Sequence, residues 1–77
     1  MQPKKAGILQ QRFGLAVRNR RETLGISQEE LASRAGLYRT YIGDVERGVR
    51  NISLNNIQKL AGALGCSMSD LLRDADR

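Results

Sequence analysis

Residues 27–48 read SQEELASRAGLYRTYIGDVERG. Ser27 offers a side-chain oxygen to the free amides of a helix start. Glu30, three residues on, is spaced to reach back to the Ser27 amide, the reciprocal pairing of a capping box. The helix it opens, QEELASRA, sets Leu31 and Ala35 one turn apart on one face, with Ala32 beside them. Gly36 stands where a left-handed cap residue belongs. From Arg39 a second short helix runs to about Glu46 and is closed by Gly48. Ile42 and Val45 are its apolar positions, which leaves positions 39, 40, 43, 44 and 47 facing away from any core.

Two short helices joined by a Gly-containing turn form a helix-turn-helix. Ala32 is small where the helices cross, and Ile42 and Val45 hold the second helix on the first. The outer face then carries Arg39, Thr40, Asp44 and Arg47, the kind of face that enters a DNA major groove. The same pattern fits an ordinary helical hairpin that happens to carry arginines, so patterning by itself leaves both readings open.

Outward from this centre the chain yields three more helices. Residues 1–7, MQPKKAG, read as a flexible basic tail whose Lys4 and Lys5 are candidates for phosphate contact. The first helix spans about residues 8–24. Leu9, Phe13, Val17 and Leu24 fall on one stripe with Ala16. Gly14 inside this helix costs about 1 kcal/mol against alanine, which implies close packing there. Arg20 occupies a stripe position and is expected to run its stem along the core and reach solvent. Gly25 caps the helix, and Ile26 takes the staple position before Ser27. Beyond Gly48 comes a loop, and Ser53 caps a fourth helix, LNNIQKLAGAL, with Leu54, Ile57, Leu60, Ala61 and Leu64 on its stripe. Gly65 stops it. Ser67 opens the last helix with Asp70 in a box-like pairing. Its apolar residues Met68, Leu71 and Leu72 serve either as core or as a dimer seam.

The chain has 77 residues, enough for one domain with one small core. Its three aromatic residues are Phe13, Tyr38 and Tyr41, so the core must be aliphatic. Small cores of this kind often lean on a partner subunit. The single Cys66 has no internal disulfide partner and reads as a small core residue, and the absence of histidine excludes a His/Cys zinc site. No clustered carboxylates, no nucleophile beside a base and no phosphate loop occur, so neither an enzyme nor a cofactor or small-molecule ligand is expected. No membrane-spanning run or signal peptide is visible, which points to a cytoplasmic protein.

The charge is uneven. Residues 1–50 hold ten Lys and Arg against five acids, which accounts for the whole net charge of +5, and residues 51–77 hold three of each. A basic N-terminal part and a neutral C-terminal part suggest one surface for a polyanion and another for an uncharged partner.

The ordered set SQEELA, AG, RTYIGDVERG, ISL and LAGALG resembles the Cro/cI-type (XRE) helix-turn-helix family of repressors. RTYI, VERG and RN resemble the controller proteins of restriction-modification systems more closely still. The resemblance covers roughly residues 13–72. It implies an all-α, compact five-helix, lambda-repressor-like DNA-binding domain over residues 1–77, with the helix-turn-helix at its second and third helices. It implies a homodimeric transcriptional regulator acting on its own promoter through palindromic half-sites in double-stranded DNA. A phage-type repressor, an antitoxin that regulates itself, and a protein-interaction module with a basic face are the alternatives.

Residue by residue, Arg39, Thr40 and Asp44 match base-reading positions in the family. Arg39 has the donors for guanine O6 and N7. Gln28 matches a phosphate-binding position. Tyr41, Arg50 and Asn51 match the controller pattern of backbone and base contacts, and Arg47 and Ser53 are candidate phosphate partners. Arg21 and Glu46 match an ion pair tying the first helix to the recognition helix. Met68, Leu71 and Leu72 match the dimer-forming end of controller proteins. Glu29, at the start of the second helix, matches a place where some repressors touch RNA polymerase, although an exposed acid also suits the helix dipole there. Two residues depart from the family pattern. Tyr38 replaces a good helix cap. Gly43 replaces a serine, either letting the backbone approach DNA closely or weakening the helix.

Overall fold

The structure, a computed structural model, describes residues 7–77. Most of the expected basic tail, including Lys4 and Lys5, lies outside the described residues. Helices α1 Ile8–Leu24, α2 Gln28–Ala35, α3 Arg39–Glu46, α4 Leu54–Leu64 and α5 Met68–Asp76 follow in order, and no strand occurs among the described residues. This is the all-α, five-helix architecture that the sequence leads one to expect. No helix among the described residues is long and apolar enough to cross a membrane.

Local chemistry sets the helix boundaries. Ser27 Oγ accepts the Glu30 amide at 3.0 Å, and Ser53 Oγ accepts the Asn56 amide at 3.1 Å. The expected return bond from Glu30 to Ser27 does not form. The Glu30 carboxylate instead takes Arg34 Nε at 3.0 Å, one turn along α2, so only half of that capping box exists. At α5 both halves form: Ser67 Oγ accepts the Asp70 amide at 3.0 Å, and Asp70 Oδ2 accepts the Ser67 amide at 3.3 Å. Hydrogen bonds from Arg73 and then Ser67 hold the Asp70 carboxyl below its ordinary range. Gly36, at φ 70°, makes the turn between α2 and α3, where the Leu37 amide reaches back to the Ala32 carbonyl at 2.9 Å.

The core is aliphatic apart from Phe13. Val17, Leu31, Ile42, Leu60 and Leu71 are its most fully enclosed side chains, one from each helix. Helix α1 lies against α3 and α5, while α2 lies against α3 and α4. Gly14 is where α1 meets α3 most closely. A Cβ on Gly14 would stand 2.2 Å from the Val45 carbonyl oxygen and 2.7 Å from that of Glu46. The close packing inferred from the sequence is therefore backbone against backbone.

Three expectations about the core need correction. Leu9 and Leu24, placed on the α1 stripe, and Leu54, placed on that of α4, are 65%, 47% and 71% exposed. Leu9 and Leu24 lie in the first and last turns of α1, and Leu54 is the first residue of α4, so all three sit at helix ends. Arg20 does not simply reach solvent. Its Nε lies 2.6 Å from Asp74 Oδ2, tying α1 to α5, and this bond raises the guanidinium's proton affinity against an opposing burial effect. Leu71 is fully buried in the core of its own chain, which removes it from any seam between chains. Met68 is half-buried against that core, and Leu72 remains 40% exposed.

Candidate nucleic-acid interface

The recognition helix α3 is fixed from below by Ile42 and Val45, both buried. Its end is fixed by a mostly buried ion pair. Arg21 Nε meets Glu46 Oε2 at 2.6 Å and Arg21 Nη2 meets Oε1 at 3.0 Å. Arg21 Nη1 also donates to the Ile26 carbonyl at 2.9 Å. The Arg21 and Glu46 side chains are only 12% and 4% exposed. Hydrogen bonding to Glu46 raises the guanidinium's proton affinity, with desolvation opposing it. An acid on a helix meant for a polyanion is thereby turned inward and neutralised.

Gln28 joins the same cluster, donating from Nε2 to Glu46 Oε1 at 3.0 Å. The residue matched to a phosphate position thus also braces α2 against the end of α3. Gly43, expected to face outward, is buried. A Cβ there would lie 3.4 Å from Arg47 Nη1 and 3.9 Å from Gln28 Oε1, so these two side chains cover it.

Arg39 and Thr40 lie exposed in the first turn of α3, and neither has a hydrogen bond or ion pair among the described residues. Five guanidinium donors and one hydroxyl are therefore free to meet base edges. Tyr38 supplies no side-chain cap to α3 and is 82% exposed.

The far end of the face is a connected network. Asp44 pairs with Arg47 through one carboxylate oxygen and with Arg50 through the other, the latter at 3.1 Å. The Arg50 guanidinium lies 4.8 Å from the Tyr41 ring centre, a stacking contact. Tyr41 Oη accepts from Asn56 Nδ2 at 3.0 Å, and Asn51 Oδ1 accepts from Gln10 Nε2 at 2.7 Å. Gln10 itself is oriented by the Gly7 amide, which donates to its Oε1 at 3.0 Å. With Asn51 Oδ1 engaged, its amide nitrogen is left to donate. Ser53 Oγ uses an acceptor site as the α4 cap and keeps its own proton for an anion.

Arg39, Thr40, Tyr41, Asp44, Arg47, Arg50, Asn51 and Ser53 therefore follow one another along α3 and the loop to the start of α4. Sequence reasoning missed Gln10 and Asn56, which brace this surface. Gln10 lies 41 residues from its partner, and nothing local to either residue marks the bond. Glu29 is exposed at the start of α2, without a hydrogen bond or ion pair among the described residues.

Comparison with known proteins fits this geometry. Residues 17–71 match the helix-turn-helix family. The chain is similar to control protein C.BamHI of Bacillus amyloliquefaciens, 52% identical over 61 residues, which covers 78% of this chain and 75% of that protein. It is also similar to control protein C.MunI of a Mycoplasma species, 39% identical over 67 residues, covering 86% and 90%. Among solved structures it resembles the restriction-modification controller protein C.AhdI of Aeromonas hydrophila. That match has a TM-score of 0.78 at 51% identity, covering 79% of this chain and 92% of the other. The family match, the five-helix fold and the exposed face of α3 agree: this chain belongs to the helix-turn-helix family of DNA-binding transcription regulators, among the control proteins.

Proposed function

We propose that the chain is a homodimeric, cytoplasmic regulator that binds a palindromic operator in its own promoter and controls a restriction-modification system. The observation that carries this reading is the pair Arg39 and Thr40, exposed and unpartnered among the described residues, at the start of a helix braced on its other side. The control proteins it resembles supply the biological setting. Residues 1–77 act as one DNA-binding domain.

Arg39 reads a base and Arg47 holds phosphate, so the two substitutions fail differently. Arg39→Ala is expected to cost about 1–3 kcal/mol on the operator and to relax preference at one guanine in each half-site. Arg47→Ala is expected to weaken operator binding without changing base preference, and to lower the slope of log affinity against log salt on the operator by about one. Binding titrations on operator, single-base variants and random duplex at several salt concentrations measure both. If Arg39→Ala loses affinity uniformly and keeps its base preferences, Arg39 is a phosphate clamp instead.

The dimer forms through the α5 side of the molecule. Leu72 is exposed and, with Leu9, Phe13, Ile52 and Ile57, borders an apolar hollow of about 180 Å³. Met68, half-buried against the core, is the second α5 side chain of the interface, and Leu71 supports α5 from within the core. Light scattering at micromolar concentration should show twice the monomer mass, and Leu72→Asp should halve it and weaken operator binding. A wild-type monomer, or a dimer that survives Leu72→Asp, places the interface elsewhere.

Glu29 touches RNA polymerase when the operator is occupied. Glu29→Lys is expected to bind DNA as wild type does and to lose activation in a transcription assay. Equal activation by both proteins reduces Glu29 to a helix-start acid.

A further inference from the structure

We propose that Asp44 is a positioning residue that sets specificity by holding Arg47 and Arg50 until an operator draws them away. It does not read a base. One of its oxygens carries Arg47 and the other carries Arg50 at 3.1 Å, so a cytosine amino group would meet a carboxylate already engaged by two cations. The two arginine side chains are 66% and 47% exposed, whereas Asp44 is 26% exposed. The carboxylate thus sits beneath the two cations it binds. Arg50 is further restrained by its 4.8 Å contact with the Tyr41 ring, and Tyr41 in turn by Asn56.

This arrangement treats different duplexes differently. To turn its full fork of N–H donors onto phosphate, each arginine must give up its bond to Asp44, and the carboxylate is then left unpaired beside the DNA backbone. Any duplex can attract the arginines, since all carry the same phosphates. Only a duplex that Arg39 and Thr40 also engage holds the helix in the register where both exchanges are completed together. On random DNA the arginines stay on Asp44, and fewer phosphates are neutralised. The carboxylate therefore opposes non-specific binding more than operator binding.

The proposal rests on the DNA-binding reading, and the experiment separates the two. Affinities of wild type and Asp44→Asn are measured on operator and on random duplex over a range of salt. Asparagine keeps the shape and removes the charge. Random-duplex affinity is expected to rise about tenfold, with the salt slope steeper by about one for each arginine released. Operator affinity is expected to rise less than about threefold, so the ratio of operator to random affinity falls. In a chain that also carries Arg47→Ala and Arg50→Ala, Asp44→Asn is expected to change random-duplex binding by less than about twofold, because the residues through which it acts are gone.

Equal gains on both duplexes, or the same gain without the arginines, would show a general charge effect and overturn the proposal. Loss of operator affinity with altered preference at one base pair would make Asp44 a base reader, and no change on either duplex would leave it no role in specificity. A wild-type chain that binds no duplex overturns the DNA-binding reading and the proposal with it.

Discussion

Gly14→Ala is expected to destabilise the protein by about 3 kcal/mol or more, the upper end of what overpacking a core costs. Helix propensity argues the other way, because alanine in a helix interior is favoured over glycine by about 1 kcal/mol. Sterics win by a wide margin. The added methyl would sit 2.2 Å from the Val45 carbonyl oxygen and 2.7 Å from that of Glu46. Both are backbone atoms, so no rotamer change relieves the clash, and α1 and α3 must move apart. In a domain of this size about 3 kcal/mol lowers the melting midpoint by roughly 12–24 °C. Thermal unfolding followed by circular dichroism measures it. A midpoint within a few degrees of wild type would mean that α1 and α3 are not in backbone contact at Gly14.

Glu46→Ala is expected to cost about 3 kcal/mol, the lower end of the range for breaking a buried ion pair. The variant removes the acceptor of two bonds from Arg21 and one from Gln28. It leaves a guanidinium that is only 12% exposed without its counter-ion. The lower end applies because Arg21 keeps its bond to the Ile26 carbonyl. Arginine does not deprotonate to escape the penalty. The effect must appear in the unfolding midpoint of the free protein as well as in DNA binding. An unchanged midpoint would show that the pair contributes nothing to the fold.

What the sequence made legible follows from how local each cause is. Ser27, Ser53, Ser67 and the glycines after α1, α2 and α4 act within a turn of their own position, and the helix limits read from them agree with the structure. The Arg21–Glu46 pair came from family resemblance and is present at 2.6 Å. The misplacements involve longer range. Leu9 and Leu24 fit the stripe of α1 and Leu54 that of α4, but all three sit at helix ends, where periodicity alone does not decide burial. Leu71 and Leu72 are adjacent and chemically alike, and only the packing of α5 on α1 decides which enters the core. Arg20 finds Asp74 across 54 positions, a pairing that no periodicity announces. Glu30 fits a capping box but has Arg34 within reach, and the competing partner wins. In the site, residue types identified the basic face, while Asp44's two arginine partners and Gln10's bond to Asn51 required the fold.

We propose that a symmetric pair of recognition helices reads DNA through Arg39 and its neighbours. Selection of bound sequences from a random duplex pool by the full chain tests it most directly. The expected result is a palindromic site with a guanine in each half and half-site centres about 34 Å apart, or a multiple of that. Selection repeated with Arg39→Ala should lose the guanine and keep the symmetry. A pool that shows no enrichment over its starting composition, or one that yields the same guanines without Arg39, would contradict it.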